Sequence, residues 1–215
     1  MIKLPFYHNP GRHCGQAVMK IALKAIMPEK DFSYEELDKI TMHDPKEWTS
    51  PPQLALGFIK LGVNFEYYIK PGFEKVSIPN YARDYAAKNF KGNYMNTLFK
   101  RVNFKPLEES VALISGDKRV IEREQDLTIK DLEKVIDNEN IPICWVNYSL
   151  FIHDKEPNLS GHFLIMTGYD KDSFFYINTD NEFDGENVKG SKETFNKAWN
   201  LCFFDHGLMV VNRKQ

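Results

Sequence analysis

The sequence predicts an α+β fold in which N-terminal helices pack on a C-terminal antiparallel sheet. Three observations predict it. Apolar residues recur at helical spacing through most of the first 62 positions. Beyond Glu109 the pattern changes to short runs rich in β-branched and aromatic residues. These runs follow one another instead of alternating with helices, which argues against βαβ units. With 215 residues, 42% of them hydrophobic and 13% aromatic, the chain can bury a substantial core and reads as one domain over residues 1–215. No internal repeat, low-complexity tract or linker interrupts it.

The elements follow in order. From Cys14 to Met27, Ala17, Val18, Ile21, Leu23, Ala25 and Ile26 fall near helical spacing and Pro28 stops the run. Ser33 with Glu36 is a capping box for a short helix through Ile40. Pro51 and Pro52 sit where a third helix begins, carrying Leu54, Leu56, Phe58 and Leu61 to a stop at Gly62. Val63 to Ile69 has strand character, and Tyr81 to Arg101 reads as helical. Val111 to Ser115, a turn at Gly116-Asp117, and Val120-Ile121 read as a hairpin. Thr128 with Asp131 caps a helix holding Leu132, Val135 and Ile136. Ile141 to Leu150, His162 to Tyr169, Ser173 to Asn178 and Leu208 to Asn212 read as strands.

Composition excludes several functions. The 28 basic residues nearly balance 30 acidic ones, for a formal charge of -2, and no Lys/Arg stripe is present to neutralise phosphates, so no nucleic-acid partner is expected. MIKLPFYHNPGRHCG lacks the apolar stretch of a signal peptide, and no run approaches the ~20 apolar residues of a membrane span. The expectation is a cytoplasmic protein with no membrane partner. Cys14, Cys144 and Cys202 are odd in number and lack C-x-x-C spacing, so each is expected to be a free thiol.

Two stretches carry chemistry. In His13-Cys14-Gly15 the thiol falls in the first turn of a helix, where unpaired backbone N–H groups and the positive end of the dipole favour the thiolate. Gly15 would let a substrate approach closely. In Gly161-His162-Phe163-Leu164-Ile165-Met166-Thr167-Gly168-Tyr169-Asp170, a polar histidine opens an apolar strand. Cys14 and His162 lie 148 positions apart, within the ~130–150 expected between a thiol nucleophile and its base in a papain-type arrangement. Asn178 follows His162 by sixteen positions, which returns a hairpin beside the histidine, so its amide can orient the imidazole. Asp180 shares that side of the strand if the strand continues and competes for the role, whereas Thr179 would point away.

C-G-Q-A opening a helix, I-P-I-C-W-V on a strand, G-H-F-L-I-M-T-G-Y-D and F-Y-I-N together resemble the papain-like cysteine peptidases related to bacteriocin leader (double-glycine) processing. Phe195 to Trp199 resembles that family's late F-x-x-x-W helix, and residues from about 72 to 109 take no part in the match, reading as a helical insertion. The resemblance implies a papain-like fold with Cys14 as nucleophile and His162 as base. Family members usually place an oxyanion-hole glutamine six residues before the nucleophile; His8 stands there, with Asn9 beside it as the other possible donor.

The function expected is thiol-dependent hydrolysis of a peptide or small peptide-like amide through a thioester at Cys14, with no cofactor. The rivals are a catalytically inactive papain-like domain that binds a peptide, and an acyl transferase using the same residues. His8 and His13 beside Cys14 have no matching downstream pair of metal ligands and read as loop polar groups, so no metal is expected. Cys144 and Cys202 read as core residues, His43, His153 and His206 as solvated surface groups, and Trp145, Tyr148 and Trp199 as core or cleft-wall aromatics.

Overall fold

The computed structural model describes residues 1–71, 77, 79–80, 83–84, 87, 103–152, 160–180, 185–202 and 207–213. Helix α1 spans Cys14–Ile26, α2 Tyr34–Thr41 and α3 Pro51–Lys60. Strand β1 (Phe65–Ile69) leads to α4 (Lys105–Ile114), β2 (Val120–Glu122) and α5 (Ile129–Asp137). Then come β3 (Ile141–Asn147), α6 (Ser149–Ile152), β4 (Gly161–Tyr169), β5 (Ser173–Asn178), β6 (Gly185–Ser191), α7 (Lys192–Asn200) and β7 (Leu208–Val211). The strands form one sheet in the order β2-β1-β7-β3-β4-β5-β6.

Local chemistry sets the helix starts. Ser33 and Glu36 exchange the two hydrogen bonds of a capping box, as do Thr128 and Asp131. A third box, Ser50 with Gln53, precedes the Pro51-Pro52 opening of α3. These reciprocal bonds satisfy donors that a bare helix end would leave orphaned. The α1 N-cap is His13, whose side chain makes no capping bond.

Every residue of β3, and all of β4 but its two ends, is buried. Because successive strand side chains point to opposite faces, unbroken burial means both faces are covered. Helix α1 packs on β4, α5 on β3 and β4, and α7 on β3, β5 and β6. Phe174, Phe195 and Trp199 form an aromatic chain between β5 and α7, with ring centroids 5.0 and 5.4 Å apart. The central pairs β3–β4 and β3–β7 are antiparallel, and β4–β5 carries a bulge between Met166 and Gly168. The N-terminal segment is tied across this hairpin: the Ile2 N–H donates to the Thr167 carbonyl (2.6 Å) and the Asn9 N–H to that of Thr179 (3.2 Å).

The α+β class is as predicted, with four departures. Val111 to Ser115 belongs to α4 and its C-cap, not to a hairpin strand: Pro106 suits a first helical turn, and Leu107, Ser110, Val111 and Ile114 supply a buried helical face. With a helix there, β1 and β2 pair in parallel, so the sheet is mixed and not purely antiparallel. Strand β3 stops at Asn147, where the Ser149 hydroxyl donates to Asn147 Oδ1 (2.7 Å) and the chain turns into α6. Edge strand β6 was unpredicted because Gly185–Ser191 is polar and carries no apolar alternation. Of the helical reading over residues 81–101, positions 83, 84 and 87 are helical and the others lie outside the described residues, as does most of the 72–109 segment.

Gly161, at the start of β4, faces the Trp145 ring so closely that a Cβ there would meet Trp145 Cζ2 at 1.8 Å. Trp145 is itself held against Phe163, 4.5 Å between centroids. Gly161→Ala is therefore expected to cost stability by overpacking, about 1–3 kcal/mol, measured as a lower urea midpoint with an unchanged m-value.

Candidate active site

Asn9, buried in the loop before α1, accepts on Oδ1 from the backbone N–H groups of Gly11 (3.0 Å) and His13 (2.9 Å). Those two bonds shape the loop that delivers Cys14 to the first position of α1. Residue Cys14 is half-buried overall, but its sulfur is turned inward and faces the backbone N–H of Phe163, the residue after His162. The thiol thus lies against the start of β4, on which α1 packs.

His162 and Asn178 meet directly. His162 Nε2 and Asn178 Oδ1 are 2.8 Å apart, with both side chains buried. The Asp180 backbone N–H also donates to Asn178 Oδ1 (3.1 Å), and Asn178 Nδ2 donates to the Tyr148 hydroxyl (3.1 Å). These partners fix which end of the amide is the oxygen, so Nε2 of His162 must carry the hydrogen. The ring's other nitrogen, Nδ1, then carries the lone pair. Tyr148 adds a second restraint by stacking on the imidazole, 4.2 Å between centroids and 28° between planes.

Asp180 does not hold the imidazole. Its carboxylate engages the Tyr148 hydroxyl, and its charge acts on both Cys14 and His162. Asn178 is the residue on His162. Tyr148, read from sequence as a core or cleft-wall aromatic, is the functional candidate that sequence reasoning missed; its place directly after a buried strand was the available signal.

His8 is exposed, and its backbone carbonyl accepts from the Tyr34 hydroxyl. Gly15 does not open the way for substrate: it is buried, and a Cβ on it would lie 2.8 Å from Thr49 Cβ and Cγ2. Its missing side chain makes room for Thr49. Cys144 and Cys202 are buried, and neither is in a disulfide. His43 is buried instead of solvated, with His13 and Asp38 beside it; His153 and His206 lie outside the described residues.

Electrostatics reverse one expectation. The helix start was to favour the Cys14 thiolate, yet burial pushes this thiol up to about 11, against the pull of the N–H groups of Phe163, Gly15 and Cys14 itself. The nearby Asp180 charge adds to the rise. Burial likewise holds His162 below its ordinary 6.5, although its bond to Asn178 and the Asp180 charge pull the other way. Both shifts favour the uncharged forms, a neutral thiol and a neutral imidazole.

No family model matches the sequence, and no match is found among curated proteins. Among solved structures, a Bacillus anthracis protein described as a C39-like peptidase aligns over 100% of this chain and 98% of its own, with TM-score 0.53 and 13% identity. This chain has the papain-like C39 peptidase fold. The peptidase domain of Streptococcus ComA, a bifunctional ABC transporter involved in a quorum-sensing pathway, aligns over 98% of each chain with TM-score 0.48 and 13% identity. No helix among the described residues is long and apolar enough to cross a membrane. In the C39 fold seen here, the N-terminal helix carries Cys14 to the head of the strand that bears His162.

Nitrogen-15 NMR of the imidazoles is expected to show the Nε2–H tautomer for His162 at pH 7 and a charge transition below 6.5. Because the unfolded chain protonates this ring first as pH falls through 6.5, stability present above that pH declines below it. His43, also lowered chiefly by burial, acts in the same direction. His162→Gln should remove part, not all, of the stability lost between pH 7.5 and 5.5 in urea unfolding.

Proposed function

We propose that this chain is a cysteine peptidase that cleaves a peptide amide through a thioester at Cys14. The observation that carries the reading is the His162–Asn178 hydrogen bond at the head of the strand whose next N–H faces the Cys14 sulfur. The fold shared with a C39-like peptidase supports it.

In the proposed reaction His162 Nδ1 takes the Cys14 proton as the sulfur bonds to the substrate carbonyl carbon. The amide C–N bond then breaks, and the imidazolium returns the proton to the leaving amine. Water, deprotonated by His162, attacks the thioester and releases a carboxylic acid with the thiol restored. A neutral pair suits this concerted transfer, because the base is already unprotonated at neutral pH. Asn178 keeps the ring in the Nε2–H tautomer, and Tyr148 holds both the ring and the amide in place. The Cys14 backbone N–H and a side-chain N–H from Asn9 stabilise the oxyanion. Asn9 is preferred to His8 because its amide is buried and fixed by Gly11 and His13, whereas His8 is exposed.

The raised thiol and lowered imidazole favour one other reading, a peptide-binding domain without turnover. The two are separated by incubating the protein with a degenerate decapeptide library in 18O-labelled water and analysing products by mass spectrometry. The peptidase reading expects cleaved peptides with labelled new carboxylates, lost in Cys14→Ala and His162→Ala. Unlabelled products joined to a second amine would assign an acyl transferase. Retention of uncleaved peptide by both wild type and Cys14→Ala would assign the binding domain. For any peptide that is cleaved, Asn9→Ala should lower kcat about 100-fold or more, and the acid limb of kcat/KM should lie below pH 6.5.

A further inference from the structure

A second polar cluster lies one residue from Cys14 and takes no part in the proposed reaction. His13, the N-cap of α1, places Nε2 3.1 Å from Asp38 Oδ2 on α2. The His43 ring, on the segment after α2, sits edge-on to His13 with centroids 5.1 Å apart. One ligand atom from each of the three residues falls within 4.8 Å of the other two. No other such group of three occurs among the described residues.

The hydrogen-bond chain behind His43 fixes its tautomer. Gln16 Nε2 donates to the Thr41 hydroxyl (2.9 Å), which itself donates to the Leu37 carbonyl (2.7 Å). Gln16 Oε1 is therefore the acceptor for the Thr49 hydroxyl (2.8 Å), and the Thr49 oxygen is left to accept from His43 Nδ1 at 3.2 Å. His43 Nε2 then carries a lone pair. That atom is buried and has no hydrogen-bond partner, and the same holds for His13 Nδ1 and Asp38 Oδ1. The Arg12 backbone carbonyl also faces the His43 ring, but Nε2 makes no hydrogen bond to it. Three adjacent residues thus each keep a buried, unsatisfied polar atom, an arrangement that costs stability unless something is bound. A metal-ligating histidine commonly donates its other ring N–H to an outer partner that fixes its tautomer and orientation, and Thr49 takes that place for His43.

We propose that His13, Asp38 and His43 bind one divalent transition-metal ion of the zinc class. Two imidazoles and a carboxylate suit zinc, cobalt or nickel and not calcium, which takes oxygen ligands. A tetrahedral ion spaces donors about 2.1 Å from itself by about 3.4 Å from one another, so the side chains close in slightly and water takes the fourth place. The ion joins the start of α1 to α2 and to the segment leading to α3. It acts as a clamp behind Cys14, not as a reagent at it, and does not depend on the peptidase reading.

The test uses the full chain carrying Cys14→Ser, so that thiolate capture of the metal cannot contribute, after chelator treatment and dialysis. Zinc chloride titrated by calorimetry should saturate one site per chain, and cobalt chloride should give the visible bands of a tetrahedral site without sulfur charge transfer. Asp38→Asn and His43→Gln in the same background should each weaken zinc binding at least about tenfold, with circular dichroism confirming the fold. Whatever the variants' fold, the parent's imidazole NMR signals decide independently. Zinc should shift those of His13 and His43 in proportion to occupancy and leave His162 unmoved. Absence of saturable binding, a zinc-dependent shift of other histidines instead, or Asp38→Asn binding as tightly as its folded parent would overturn the site.

Discussion

The site depends on one hydrogen bond, from His162 Nε2 to Asn178 Oδ1. An imidazole that is buried and neutral gains little from charge and has two tautomers, so only a partner of fixed polarity can choose between them. Asn178 has that polarity because its oxygen also receives the Asp180 N–H while its nitrogen is spent on Tyr148. The β4–β5 pairing brings the two residues together, and the Asn9 N–H bond to Thr179 ties the nucleophile's loop to the same strand end. Backbone pairing therefore sets the positions and side-chain polarity sets the proton.

Burial explains why the thiol does not behave as its helix position alone suggests. Dipole and N–H effects at a helix start favour a thiolate, but they act against desolvation, and at Cys14 desolvation is the larger. The same burial lowers His162, so proton transfer from sulfur to nitrogen would create two charges in a poorly solvated place. A substrate changes this balance, since the negative charge passes on to the carbonyl oxygen as the sulfur bonds to carbon. The oxyanion donors then matter more than the resting thiol, which makes Asn9, already fixed by two backbone amides, the consequential residue of the loop.

Elements with a local chemical signature were readable before any coordinates. The boxes Ser33-Glu36 and Thr128-Asp131, the apolar face of α1 and the strands at Ile141 and His162 are set by short-range pattern, and all are present. The approach of Asn178 to His162 was readable too, from hairpin spacing, although it is the one-residue register shift at the Met166 to Gly168 bulge that puts Asn178, and not Thr179, on the face of His162. Val111 to Ser115 was misread because five apolar and small residues look alike in a strand and in one helical face, and only the Lys105-Pro106 start decides. β6 was missed because an edge strand exposed to water has no apolar pattern to show. Tyr148 is the buried aromatic the sequence suggests, but its contact with His162 and the burial of His43 come from what lies across space, a stacked imidazole in one case and an Asp38-His13 pair in the other.

Gly15 shows how the two polar systems share one framework. A side chain there would strike Thr49, and Thr49 is the link between Gln16 on α1 and His43. The glycine after Cys14 is thus needed where α1 meets Thr49, and there it lets a buried hydrogen-bond chain reach the helix. Displacing Thr49 would leave Gln16 Oε1 and His43 Nδ1 without partners in a dry interior, where each orphaned group costs about 1–3 kcal/mol. The loop from Asn9 to His13 would then lose its support from behind while keeping Asn9 in front. Placement of Cys14 rests on both: Asn9 and the Phe163 N–H on the reacting side, and the Gln16-Thr49-His43 chain on the other.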